Sequence, residues 1–169
     1  MKTVLIVEDE KMIRQGIKTM IMRSGVPIET IMECNNGETA LEILKEQEID
    51  VMFTDIRMPK MDGIELVQKM QSLEHIPLTV AISGYDDFEY AREAISIGVD
   101  QYILKPVTRM SLRKVLQELK EKIEAEQEQE DFQSKLANEM HEYEQFSIRH
   151  FFEQVLEGEL CVTEIYDEA

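Results

Sequence analysis

The chain has 169 residues, 43% hydrophobic and 31% charged, with 35 acids against 18 bases and a net charge of -17. That composition supplies one ordinary core and excludes a disordered chain. The charge argues against a basic nucleic-acid-binding face and against docking on an anionic membrane. No apolar run approaches the ~18 residues that span a bilayer, and Val4–Val7 is too short for the apolar region of a signal peptide. Cys34 and Cys161 lie far apart without metal-ligand spacing, give no disulfide framework and fit a reducing, cytoplasmic compartment.

From the N-terminus two hydrophobic periods alternate. Thr3–Val7 is a short β-branched run, as in a strand buried on both faces. Ile13, Ile17, Met20 and Ile21 then recur at helical spacing, and Gly25 ends the pattern. Residues 28–33 read as a second strand. Asn36-Gly37 reads as a turn before the helical stripe of Ala40, Leu41 and Leu44. Val51–Thr54 is a third strand, followed by a helix marked by Ile64, Val67, Met70 and Leu73. Leu78–Ile82 is a fourth strand. Asp86 is placed to cap the next helix, with Phe88, Ala91, Ala94 and Ile95 inward and Gly98 at its end. Gln101–Leu104 is the fifth strand, and Thr108 opens a helix carrying Leu112, Val115, Leu116, Leu119 and Ile123. Strands alternating with helices predict an α/β fold with a parallel sheet covered on both faces.

Ligands of such sheets bind beyond the carboxyl ends of the strands. The first strand ends in Glu8-Asp9-Glu10, the third in Asp55, the fourth in Ser83-Gly84 and the fifth in Lys105-Pro106. In a parallel sheet all four sets share one edge. Adjacent carboxylates raise each other's pKa unless a counter-charge is present, and Mg²⁺ with a few carboxylate oxygens and waters removes that cost. Asp9 and Asp55 form the natural pair, with Glu8 assisting directly or through water. Lys105 supplies a point charge and Ser83 a hydroxyl donor, both suited to a phosphoryl group. Phosphoryl transfer to an aspartate requires this combination.

The set Glu8-Asp9, Asp55, Ser83 and Lys105-Pro106 resembles the receiver domain of two-component response regulators. Residues 55–59 (Asp-Ile-Arg-Met-Pro) with Asp62-Gly63 are similar to the loop after that family's phosphoacceptor. Residues 83–91 and 102–107 resemble, more narrowly, receivers that precede an AraC-type DNA-binding domain in YesN-like regulators. The resemblance covers about residues 1–122. It implies a flavodoxin-like, doubly wound five-stranded sheet of order 2-1-3-4-5. It implies that Asp55 accepts a phosphoryl group from a histidine kinase. It places Mg²⁺ on Asp9, Asp55 and the backbone carbonyl of Arg57, with Glu8 acting through water. Lys105 then pairs with phosphoryl oxygens, Ser83 turns toward them, and Tyr102 follows inward as the second switch residue. Arg57 and Tyr85 flank the site and limit water access, and the bond before Pro106 is cis. Such a chain is a phosphoacceptor with weak phosphorylation and dephosphorylation chemistry, not an enzyme, and it forms a homodimer on phosphorylation. Glu8 departs from the aspartate of many members, and the extra methylene weakens the case for direct metal contact.

Residues 1–120 hold 20 acids and 15 bases, and residues 121–169 hold 15 acids and 3 bases, so most of the negative charge lies in the tail. The expected division is a receiver over 1–122 and an acidic helical extension over 123–169. Residues 124–131 contain no large apolar side chain, which favours a break there. Phe132, Leu136, Met140 and Tyr143 recur beyond it like a coiled-coil seam. Ile148, Phe151, Phe152, Val155 and Leu156 form a second apolar cluster. Either a charged linker or a helix of ~75 Å over 108–157, at 1.5 Å per residue, fits this pattern. No helix-turn-helix is visible, so DNA contact is expected of a longer parent and not of this segment.

Other classes fit less well. A haloacid dehalogenase-type phosphohydrolase carries a second acid two residues after its nucleophile, where this chain has Arg57. A flavodoxin needs a hydroxyl-rich phosphate loop after the first strand, where three acids stand. A pseudo-receiver that works only as a phosphorylation-independent interaction module is the remaining alternative.

Overall fold

The computed structural model describes residues 1–84 and 88–157, without the side chains of Phe88, Tyr90, Ala91 and Glu157. The elements in chain order are β1 (Thr3–Val7), α1 (Lys11–Met22), β2 (Thr30–Cys34), α2 (Gly37–Glu46), β3 (Val51–Asp55), α3 (Gly63–Met70), β4 (Leu78–Ser83), α4 (Phe88–Ser96), β5 (Gln101–Leu104) and α5 (Arg109–Glu157). The strands form one parallel sheet in the order β2-β1-β3-β4-β5, the expected doubly wound arrangement.

Strand pleating sends alternate residues to opposite faces. Val4 and Ile6 of β1 pack with Phe53, Val80, Ile17 of α1 and Leu112 and Leu116 of α5. Leu5 and Val7 pack on the other side with Met52, Ala40 and Leu44 of α2 and Leu66 and Val67 of α3. β1 and β3 lie inside the sheet with apolar layers on both faces, which is why they read as unbroken apolar runs rather than alternating ones.

Local chemistry sets the element ends. Asn36 caps α2 by accepting from the Thr39 amide at 2.8 Å, and Asp62 caps α3 by accepting from the Glu65 amide at 2.8 Å. Thr108 takes the corresponding place before α5, accepting from the Ser111 amide at 3.1 Å. The expected second strand began too early. The amides of Glu29 and Thr30 both donate to the Lys2 carbonyl, and regular pairing begins only with Thr30 opposite Thr3. Leu73 lies beyond the end of α3, although it still packs against the core. The Asp86 cap falls outside the described residues.

The chain divides into two compact units, Met1–Ile123 and the residues from Glu124 on. Of the two readings left open for 124–131, a break or a continuous helix, the chain takes the helix, and α5 runs without interruption from Arg109 to Glu157. Glu, Gln and Ala rank among the better helix formers, and the absence of apolar residues removes packing without removing propensity. In the second unit Phe132, Leu136, Met140, Tyr143 and Phe146 are all exposed. Among the described residues no helix is long and apolar enough to cross a membrane.

Candidate functional site

The carboxyl ends of β1, β3, β4 and β5 carry the residues singled out from the sequence. β1 delivers Glu8 and Asp9 into the turn before α1. β3 ends on Asp55 itself, paired with Ile82 of β4, and Ser83 ends β4 opposite Leu104. Lys105 follows β5 and enters a cis peptide bond with Pro106.

The side chains converge. The Lys105 ammonium lies 3.2 Å from Glu8 Oε2 and 3.2 Å from Asp55 Oδ2, and donates to both. Carboxylate oxygens of Glu8, Asp9 and Asp55 lie within 4.8 Å of one another. Glu8 is 1% exposed and Asp55 5%, while Asp9 is the most open of the three. Two acids with little access to water thus share the Lys105 ammonium, a third stands beside them, and positive charge is short.

The electrostatics follow from that shortage. Burial pushes the Glu8 carboxyl up to about 7, and the neighbouring Asp55 charge adds to the rise, against the Glu10 amide and Lys105. Burial also raises Asp55, and the Lys105 charge and the Arg57 backbone amide offset this only in part. For Lys105 burial works against the charge, but the Asp55 and Glu8 carboxylates outweigh it and its pKa is raised. A divalent cation answers this arrangement, because it supplies the missing positive charge to oxygen ligands that are already gathered. The residues present therefore fit Mg²⁺.

Ser83 is buried at 1% exposure, and its Oγ lies 2.6 Å from the Tyr102 hydroxyl and 3.1 Å from the Gly84 carbonyl. Tyr102 is half-buried and packs against Ile56, Ile64, Ala81 and Ala94. Arg57 is exposed and lines a shallow cavity of about 440 Å³ with Met58, Pro59 and Asp62. Tyr85 lies outside the described residues.

Two supports of the site carried no role in the sequence reading. Arg14 on α1 donates to the Glu8 carbonyl at 2.6 Å and lies 3.6 Å from Glu33 of β2, so a guanidinium clamps the acidic turn from outside. Nothing in the spacing marks this, since the partner is a backbone oxygen. Gly63 passes so close beneath β3 that a Cβ there would stand 2.3 Å from the Asp55 carbonyl oxygen and 3.0 Å from Ile56 Cα. Its amide donates to the Ile56 carbonyl at 2.8 Å. The Asp-Gly pair was legible only as part of a loop resembling the one after the family's phosphoacceptor; the close approach that requires glycine was not.

Comparison with known proteins places this geometry. Residues 4–117 match the model of the response regulator receiver domain. The chain is 27% identical over 158 residues to the uncharacterized transcriptional regulatory protein YesN of Bacillus subtilis, covering 94% of this chain and 43% of that protein. It is 36% identical over 114 residues to the transcriptional regulatory protein HptR of Staphylococcus aureus, covering 67% of this chain and 44% of that one. It therefore spans less than half the length of these relatives. Among solved structures, the REC domain of AraT, a response regulator from Geobacillus stearothermophilus, is 41% identical with a TM-score of 0.65, over 74% of this chain and 97% of that one. A two-component transcriptional regulator AraC from Clostridium phytofermentans is 31% identical with a TM-score of 0.66, over 76% of this chain and 99% of that one.

Proposed function

Because the chain belongs to the response regulator receiver family, we propose that it takes a phosphoryl group from a partner histidine kinase onto Asp55 and relays the change to a transcriptional output domain. The observation that carries this reading is the shared contact of Lys105 with Glu8 and Asp55 at 3.2 Å each, beside Asp9. A buried carboxylate with one oxygen held by a cation, and with acids poised for a metal, is equipped for phosphoryl transfer.

In the reaction Asp55 Oδ attacks phosphorus while the bond from phosphorus to the kinase histidine nitrogen breaks. The bond's electron pair stays on that nitrogen, and because the other ring nitrogen of the phosphohistidine carries a proton the products are an acyl phosphate and a neutral imidazole. Asp9, Asp55 and the Arg57 carbonyl would hold Mg²⁺, with Glu8 assisting through water, and the ion would supply positive charge to the carboxylates and the phosphoryl oxygens. Lys105 moves its contact from the Asp55 carboxylate to a phosphoryl oxygen. Ser83 donates its hydroxyl proton to another, and Tyr102 follows Ser83 inward. Arg57 and Tyr85 border the opening and set how readily water reaches the acyl phosphate. The added charge of about -1.5 to -2 selects one arrangement of the segment after Ser83. The selected state dimerises through the face made by α4, β5 and the receiver's part of α5. The chain acts in the cytoplasm as a phosphoacceptor, and DNA binding belongs to a longer parent protein, not to this segment.

The test is incubation with Mg²⁺ and acetyl phosphate followed by intact mass measurement. The expected result is a gain of one phosphoryl group that disappears in Asp55→Ala. No gain, or a gain that survives Asp55→Ala, overturns the assignment. A chain that stays unmodified and still binds its kinase would instead be the interaction-only module.

A further inference from the structure

Arg23 at the end of α1 and Arg109 and Arg113 in the first turns of α5 line one cavity of about 330 Å³, with Met20 and Met110 as apolar walls. Among the described residues none of the three arginines has an ion pair, although neighbouring cations on the same helices do: Arg14 and Lys18 on Glu33, Lys114 on Glu118. Met20 is also a wall of a second cavity, about 520 Å³, lined by Ile13, Ile17 and Val107 together with Pro106 and the Lys105 of the candidate site. Met110 is 84% exposed beside it. The receiver unit thus carries two cavities that share Met20, a mostly apolar one bordered by Lys105 and one lined by three guanidinium groups without an ion pair among the described residues, in a chain of net charge -17.

The second unit carries the complement. Residues 124–131 hold five acids and no base, and Phe132, Leu136 and Met140 follow at four-residue steps, each 44–66% exposed. Four-residue steps place them in one stripe. Each block is ~12 Å long at 1.5 Å per residue, so the order along the helix is acid first, then apolar. Pairing this helix with its own like would set ten acids against ten, since residues 124–157 hold only two bases.

We propose that the receiver cleft of one copy receives the acidic, apolar-striped helix of a second copy, with residues 124–131 against Arg23, Arg109 and Arg113 and the Phe132–Met140 stripe on the apolar cleft. This is a helix-in-groove contact between unlike surfaces, which two copies can exchange reciprocally. Lys105 borders this cleft as well as the candidate site, but the contact uses neither the Asp55 carboxylate nor a phosphoryl group, so it operates in Asp55→Ala as well.

The test is sedimentation of the full chain, unphosphorylated, across concentration at low and high salt. The expected result is a dimer whose dissociation constant rises at least tenfold between about 50 mM and 500 mM salt. Arg109→Glu with Arg113→Glu weakens it by a similar factor, and so does Glu126→Lys with Glu130→Lys. Mixing these two variants restores association, because each supplies the reversed partner of the other. Circular dichroism confirms that both variants keep their helix content. A chain that stays monomeric up to about 100 µM, a dimer indifferent to the arginine reversals, or a mixture that fails to associate overturns the proposal. Asp55→Ala is run in parallel and is expected to associate like the unmodified chain, so failure here leaves the phosphoacceptor assignment untouched.

Discussion

Glu8 is the residue whose behaviour the structure changes most. Its folded-state pKa of about 7 lies above the ordinary 4.5 because burial and Asp55 penalise its charge. Without metal the folded chain therefore holds an extra proton between those values, and its stability falls as pH rises through that window. Mg²⁺ affinity is predicted to run the opposite way and strengthen as pH rises, because cation and proton compete for the same site. Calorimetric titration near pH 6 and near pH 8 measures this; Glu8→Gln should flatten the difference, and equal affinities at both values would refute it. Gly63 gives a prediction of another kind. Gly63→Ala drives a Cβ into the Asp55 carbonyl, which is backbone and cannot swing aside. The expected cost is about 1–3 kcal/mol in urea denaturation, with slower labelling of Asp55 by acetyl phosphate. Cys34 is buried and its thiol is pushed up to about 11, chiefly by desolvation. In a Cys161→Ser background iodoacetamide should modify it slowly near pH 8 and rapidly in urea; fast reaction of the folded chain would count against a sealed thiol.

At the scale of elements, α3 hangs from one cap. Asp62→Ala removes the acceptor for the Glu65 amide, and the expected loss is about 1 kcal/mol by chemical denaturation. The strand ends were the most legible part of the chain. β1 and β5 match the expected residues, because a run such as Val4-Leu5-Ile6-Val7 is read the same way from either face, and Glu8, Asp55, Ser83 and Lys105 ended their strands as expected. The start of β2 was less legible, since it depends on where β1 begins and not on residues 28–30 themselves. The continuation of α5 through 124–131 was obscured because apolar periodicity is silent where nothing apolar occurs. The Arg14 clamp lay beyond the sequence altogether, because a side chain that binds a carbonyl leaves no compositional trace.

At the scale of the molecule the two units differ in what sustains them. The first has layers of buried apolar residues on both faces of its sheet, and the described part of the second is a helix with its large side chains in water. We therefore propose that the receiver boundary near residue 122 is also a folding boundary. At about 500 mM salt, where the proposed contact between copies is weakened, a chain ending after Ile123 should unfold in one cooperative step with the denaturant midpoint of the parent, and a clearly lower midpoint would show that the extension supports the core.

The pair Ser83 and Tyr102 sets a rule for any traffic between the sheet edge and the face beyond β5. A serine hydroxyl has one proton to give; the Gly84 carbonyl at 3.1 Å accepts it, and the Tyr102 hydroxyl at 2.6 Å stands close enough either to claim it or to donate to Ser83 Oγ in turn. A newcomer with acceptor oxygens obtains that proton only by displacing a current holder. The site thus works by exclusion, like a single seat with several claimants. Tyr102→Phe removes one claimant and should make the seat easier to take without making it any warmer.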